Sequence, residues 1–187
     1  MIEVEKKLNP SLETIERINN DAVFVTSKTM NDILYDYEDL SLSKNDIWLR
    51  KRNGKFDLKV SRDKDLKNRF LDIYDEIEDE EKICKALHIK SIADENFIEI
   101  SNLITKREKY KLGEFNIDFD FVTSARDDFV YHLMEIELMV EDESEAPAAL
   151  EKIKRFIAEY DIPEKSATAK HMQYFFEKKR HIFDLLQ

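Results

Sequence analysis

The residues of this chain that can do chemistry are carboxylates and cationic groups set two apart. Glu3, Glu5 and Lys7 alternate with Ile2 and Val4, and Trp48, Arg50 and Arg52 alternate with Ile47 and Leu49. Asp57 and Lys59 alternate with Phe56, Leu58 and Val60, and Thr105, Arg107, Lys109 and Lys111 share one parity. Asp118 and Asp120 alternate with Ile117, Phe119 and Phe121, and Glu135 and Glu137 with Met134, Ile136 and Leu138. In a strand, successive side chains face opposite ways, so this spacing collects the charges on one face. A half-buried strand with a solvated outer face explains any one of these segments alone. Together they are unusual, because like charges about 7 Å apart on one strand repel each other. Ligands would relieve that repulsion. Carboxylate oxygens are the donors that Mg²⁺ or Mn²⁺ prefers, and paired arginines offer planar forks to phosphate oxygens.

Composition narrows the classes. A chain of 187 residues fits one domain with a full core, and 38% charged residues exceeds the usual quarter. The net charge of −11 argues against a broad nucleic-acid or anionic-membrane surface. Cys84 is the single cysteine, which excludes an intrachain disulfide and a thiolate metal cage. Gly54 and Gly113 are the only glycines, so neither a P-loop nor a Rossmann fingerprint can exist, and any phosphate must be held by side chains. His88, His132, His171 and His181 are dispersed, with no pairing suited to zinc. The run Lys178-Lys179-Arg180 reads as a solvated helix face. The start MIEVEKK lacks the apolar run of a signal peptide and no stretch approaches the ~20 apolar residues of a membrane span, so a cytoplasmic enzyme is expected.

The elements that must position these residues follow from pattern. Strands are predicted at 1–7, 22–37, 46–52, 55–61, 69–77, 98–111, 114–121 and 130–140. Asn53-Gly54 is the dipeptide of a type I′ hairpin turn. Helices are predicted from an Asn9 cap with Pro10 at the first position to Asn20, at 79–89, after Pro147 with Leu150, Ile153, Phe156, Ile157 and Tyr160 on one stripe, and at 167–186. The expected fold class is α+β: an eight-stranded antiparallel closed β-barrel with a charged interior, flanked by several helices, as a single domain over 1–187.

Glu3-x-Glu5-x-Lys7 resembles the E-x-E-x-K signature of the CYTH superfamily, the triphosphate tunnel metalloenzymes. The similarity continues in order through Leu34-Tyr35-Asp36, Leu40-Ser41-Leu42, Trp48-Leu49-Arg50-Lys51-Arg52, Asp57-Leu58-Lys59, Thr105-Lys106-Arg107, Ile117-Asp118-Phe119-Asp120 and Glu135-Ile136-Glu137. Residues 146–153 and Ala167-Thr168-Ala169-Lys170 resemble the thiamine triphosphatase branch. Tyr37-Glu38-Asp39 departs from the family's Thr-Pro-bearing turn.

The resemblance implies that Lys7, Arg50, Arg52, Lys59, Arg107 and Lys170 grip a triphosphate, and that Glu3, Glu5, Asp118, Glu135 and Glu137 hold metal. Asp120 is the alternative to Asp118, since both share a face. Trp48 has two readings: packing, or a cation–π contact with a thiazolium ring. Tyr74 and Glu76 match a Tyr-x-Glu pattern of the family. The implied activity is hydrolysis of thiamine triphosphate to thiamine diphosphate and phosphate, with Mg²⁺ or alternatively Mn²⁺. Lys59, Glu5 and Glu137 are the expected catalytic residues, and the sequence identifies no general base. Tripolyphosphate hydrolysis, class IV adenylate cyclase activity and silent polyphosphate binding are the alternatives. The expected partner is a small-molecule triphosphate, with no nucleic acid, membrane or obligate protein partner.

Overall fold

The structure, a computed structural model, describes residues 2–61, 74–163 and 167–186. Its strands are β1 (Ile2–Leu8), β2 (Val23–Asp36), β3 (Ile47–Arg52), β4 (Lys55–Ser61), β5 (Tyr74–Ile77), β6 (Ile98–Leu112), β7 (Phe115–Ser124) and β8 (Val130–Val140). They form one eight-stranded sheet in the order β1-β8-β7-β6-β2-β3-β4-β5. The β1–β8, β7–β8, β2–β3, β3–β4 and β4–β5 ladders are antiparallel. Helices α1 (Leu12–Asp21), α2 (Glu80–Leu87), α3 (Ala146–Glu159), α4 (Lys170–Lys178) and α5 (Arg180–Leu185) complete the expected α+β class. The strand order has two ends, β1 and β5, where the sequence suggested a ring. Of the strand expected at 69–77, residues 69–73 lie outside the described residues, and Tyr74–Ile77 forms β5.

The chain divides into two compact units, with β2 and β6 each running through both. The first contains residues 1–29, 105–123 and 129–173. Here β1 pairs with β8 so that Val4 meets Leu138 and Leu8 meets Met134, while β7 sets Ile117 against Ile136. Apart from Lys6 and His132, this even-numbered β1–β8 face is apolar, and α3 lies on both strands with Leu150, Ile153, Phe156 and Ile157 buried. Burial of such side chains contributes about 1.5–3 kcal/mol each. The opposite face of the same strands carries the charges.

The second unit contains residues 30–104, 124–128 and 174–187. Its core gathers Leu42, Leu49, Leu58, Ile83 and Ile92, with α2 packed on β4 and β5. Leu49 on β3 opposes Leu58 on β4, which opposes Ile77 on β5. The β3–β4 turn has Asn53 at φ 48° and Gly54 at φ 90°, the two positive values that a type I′ turn requires. Buried Asp36 accepts from the amides of Tyr37, Leu42 and Ser43 at 2.7, 3.0 and 2.8 Å, which fixes the loop into β3.

Two helix expectations need correction. The cap of α1 is Ser11, whose hydroxyl accepts from Thr14 N at 3.1 Å, so the helix starts three residues after Asn9. A hydroxyl that reaches the N3 amide outcompetes an Asn-Pro start. The helix expected at 167–186 is broken between α4 and α5 at Lys179, whose φ of −136° is not helical. Lys178 and Arg180 are exposed, as a solvated run requires, but the break puts them on different helices. Lys178 pairs with Asp128, Lys179 is half-buried, and Arg180 bonds Asp184 at 2.8 Å while lying over Phe176.

Candidate active site

In the first unit, strand register assembles what the sequence shows only strand by strand. Glu5 on β1 stands opposite Glu137 on β8, and Lys7 stands opposite Glu135. Across β8, Glu135 also opposes Asp118 of β7, and Glu137 opposes Asn116. Two rows of polar residues thus cross three strands. One oxygen each of Glu5, Glu135 and Glu137 lies within 4.8 Å of the others. Lys7 is bonded to Glu5, and its ammonium is 3.9 Å from Glu135.

Arg107 enters from β6 as the hub of the remaining carboxylates. It donates to Asp120 from Nε and Nη2 at 2.6 and 2.7 Å, to Asp118 from Nη1 at 2.6 Å and to Glu135 from Nη2 at 2.5 Å. Lys109 reaches Glu137 at 3.2 Å and Asp118 at 3.4 Å. Burial works against the charged guanidinium, but the Asp120 bonds and the charges of Glu135 and Asp118 outweigh it and raise the Arg107 pKa. Burial pushes the Asp118 carboxyl up, over the opposing pull of Arg107 and Lys109. For Glu135 the balance is reversed: burial is outweighed by Arg107, then Lys7 and Lys170, and its pKa is lowered.

Lys170 opens α4 and donates to Thr105 Oγ1 at 2.9 Å. The approach to this helix is tied down by Ala167 N to Lys7 O at 3.0 Å and by Tyr131 OH to Thr168 O at 3.0 Å.

In the second unit the basic residues share one sheet face, and carboxylates hold each of them. Arg50 Nε donates to both oxygens of Asp57 at 3.0 Å, its direct partner across the β3–β4 ladder. Arg52 makes a bidentate pair with fully buried Asp32 at 2.7 and 2.9 Å, opposite it on β2. Lys59 stands between Trp48 and Glu76 in register and pairs with Glu76. The Trp48 indole donates to Asp46 at 2.6 Å. Burial raises the Asp57 carboxyl despite Arg50, while Lys59 outweighs burial at Glu76 and lowers it.

Of the residues expected to hold metal, Glu5, Glu135 and Glu137 come together. Asp118 is adjacent in register but is engaged by Arg107 and Lys109, as Asp120 is by Arg107. The Glu3 backbone pairs opposite Met139, and its side chain lies outside the described residues. Arg107, expected to grip phosphate, is the counter-ion of three acidic residues. The like-charge repulsion inferred along single strands is relieved by cross-strand ion pairs, because register places opposite charges beside each other. Asp32 and Asp46 were missed as site residues. Asp46 lies two residues before Trp48, so extending the period-two reading by one step would have found it.

The CYTH domain family matches residues 1–171 of this chain. The chain belongs to the CYTH family. The CYTH chain is 31% identical over 194 residues to the thiamine-triphosphatase of Macaca fascicularis, spanning 93% of this chain and 84% of the relative. It is 29% identical over 199 residues to that of Homo sapiens, with the same coverage of 93% and 84%. Among solved structures, a Pyrococcus horikoshii protein is 28% identical with a TM-score of 0.64, covering 94% and 99% of the two chains. A Hippeastrum protein named for adenylyl cyclase and a dominant triphosphatase activity shares the fold, at TM-score 0.58 and 16% identity over 94% of each chain.

The donor chemistry of this CYTH protein fits a hard divalent cation. Glu5, Glu135 and Glu137 offer oxygen ligands only, two of these residues are buried, and among the described residues no sulfur or imidazole joins the group. No helix among the described residues is long and apolar enough to cross a membrane.

Proposed function

We propose that this protein hydrolyses thiamine triphosphate to thiamine diphosphate and phosphate. The observation that carries the reading is the shared face of Trp48, Arg50 and Arg52 on β3 with Lys59 across the ladder. It sets an aromatic ring beside a row of cations, which suits a substrate with an aromatic end and a polyanionic end. Curated relatives named thiamine-triphosphatase support the same reading.

Arg50, Arg52 and Lys59 take phosphate oxygens, and the carboxylates already paired with them fix the direction of each cation before substrate arrives. Lys7, Arg107 and Lys170 are the other residues proposed to bind phosphate. Lys59 offsets charge developing on the transferred phosphoryl group, in a reaction whose catalysis is chiefly positioning and charge stabilisation. Glu5, Glu135 and Glu137 would hold Mg²⁺, with Mn²⁺ as the alternative, and Glu3 and Asp118 would complete the proposed ligand set. A bound divalent cation neutralises phosphate charge and lowers the pKa of coordinated water. A single domain over 1–187 and a cytoplasmic, small-molecule role belong to this reading.

The test is a panel of thiamine triphosphate, tripolyphosphate and ATP with Mg²⁺ and product identification. Thiamine diphosphate as the dominant product of the fastest reaction upholds the proposal. Preference for tripolyphosphate, cyclic AMP with pyrophosphate from ATP, or binding without turnover each replaces it.

A further inference from the structure

The face that carries Arg50 and Arg52 changes character at its other end. Asp46 immediately precedes β3 and is 5% exposed. Its Oδ1 accepts from the Trp48 indole at 2.6 Å and from the Tyr74 hydroxyl at 3.0 Å. One carboxylate oxygen therefore holds the polar edges of two aromatic side chains that come from strands separated by β4. Asp46 O also accepts from Ser61 N at 3.2 Å, and Ser61 is the register partner of Tyr74. Asp46, Ser61 and Tyr74 thus form a row across the three strands, beside the row of Trp48, Lys59 and Glu76.

The backbone explains why this residue type stands there. Asp46 has φ 53° and ψ 41°, the left-handed conformation, and closes the 3-10 turn Ser43–Asn45 through its N–H to Ser43 O at 3.0 Å. Asp and Asn are the non-glycine residues most at ease in that region. Asn would satisfy the backbone equally well, so the backbone alone does not demand a negative charge.

We infer that Asp46 is a positioning residue that sets Trp48 and Tyr74 as a wall for the cationic, ring-bearing end of the substrate. This rests on the proposed reading of Trp48 as a substrate contact. A carboxylate accepting from the indole N–H raises electron density in the ring and strengthens its attraction for a cation. The same negative charge favours a cationic group and disfavours an anionic one at this end of the face. Along β3, Asp46 and Arg50 are separated by about 13 Å at the usual rise per strand residue. The face therefore reads from negative and aromatic to positive over the length of a small ligand with a cationic ring and a polyanionic tail.

Trp48 is the sole tryptophan, so its emission reports this wall without interference. The experiment titrates the protein, with thiamine and separately with tripolyphosphate, following Trp48 emission for the first and thermal shift for the second. Asp46→Asn keeps an acceptor and the backbone preference while removing the charge. Asp46→Gly tolerates the positive φ and removes the acceptor as well.

The expected result is quenching by thiamine with a dissociation constant at least tenfold weaker in both variants, and tripolyphosphate affinity within twofold of wild type. In Asp46→Gly the emission of the unliganded protein also shifts, because the indole loses its partner. If Asp46→Gly fails to fold, Asp46→Asn decides. Unchanged thiamine affinity in Asp46→Asn overturns the inference, as does an equal loss for both ligands or an absence of thiamine quenching in wild type. None of these readouts requires turnover. A wild-type protein that binds thiamine but does not hydrolyse thiamine triphosphate therefore defeats the proposed function while leaving Asp46 tested on its own terms.

Discussion

Glu5 on β1 and Glu137 on β8 are direct partners in register, and with Glu135 each contributes an oxygen to a group spanning no more than 4.8 Å. Like charges directly opposed across a ladder are destabilising. Lys7 and Lys109 offset part of that repulsion. A divalent cation would offset more, so Mg²⁺ is expected to raise the melting temperature of the wild-type protein. At a hundred times its dissociation constant, linkage gives about 2.7 kcal/mol. Glu137→Gln should reduce this gain and lower turnover by orders of magnitude with the fold retained by circular dichroism. Full turnover in excess chelator would exclude metal dependence.

Arg107 compensates Asp118, Asp120 and Glu135, all of which are buried. Removing one partner of a buried ion pair leaves uncompensated charge, typically at a cost of about 3–5 kcal/mol. Arg107→Ala is therefore expected to lower stability by about that amount in urea unfolding. Lys154→Ala, at an exposed surface pair with Glu151, should leave it nearly unchanged. Equal effects in the two variants would show that Arg107 is not the hub of the acidic group.

Trp48→Ala discriminates substrate contact from packing. Loss of a cation–π contact is on the order of 0.5–2 kcal/mol, hence roughly two- to thirty-fold in kcat/KM for thiamine triphosphate. Tripolyphosphate has no ring and should be nearly unaffected. Equal losses on both substrates would assign Trp48 to packing.

Tripolyphosphate should stabilise the folded protein, since it binds the native cations and not the unfolded chain. The gain should shrink in Arg50→Ala and with rising salt, which screens exposed charge. It should persist in Lys154→Ala. A gain indifferent to Arg50→Ala would remove Arg50 from the binding set.

Tyr37 gives a pH signature away from the site. Burial, followed by the hydrogen bond to Glu95 at 2.9 Å, pushes its phenol up to about 12. Because the folded pKa lies above the unfolded value near 10, the native state retains a proton that the unfolded chain releases. Its contribution to stability is full below the unfolded value and is lost as pH rises through the folded one. Denaturation at pH 9 and 11.5 should show a smaller alkaline loss in Tyr37→Phe than in wild type. An equal loss in both would mean that Tyr37 ionises as it does in the unfolded chain.

The sequence by itself determined the strand faces, the family and most of the charged residues that gather. Period-two alternation is local: Ile136 and Glu137 must point to opposite faces whatever the rest of the chain does. Asn53-Gly54 likewise specified its turn through its own backbone preferences. Tertiary structure decided which charges become partners. Nothing local to Arg107 indicates that it will meet Asp118, Asp120 and Glu135, since those contacts arise from the placement of β6, β7 and β8 in the sheet. The same holds for Asp46, whose role depends on Tyr74 arriving from β5, two strands away. A repeat of two fixes direction within a strand, whereas register between strands is fixed by packing of the apolar face, since a slip of one residue would turn a strand's apolar set to the wrong face.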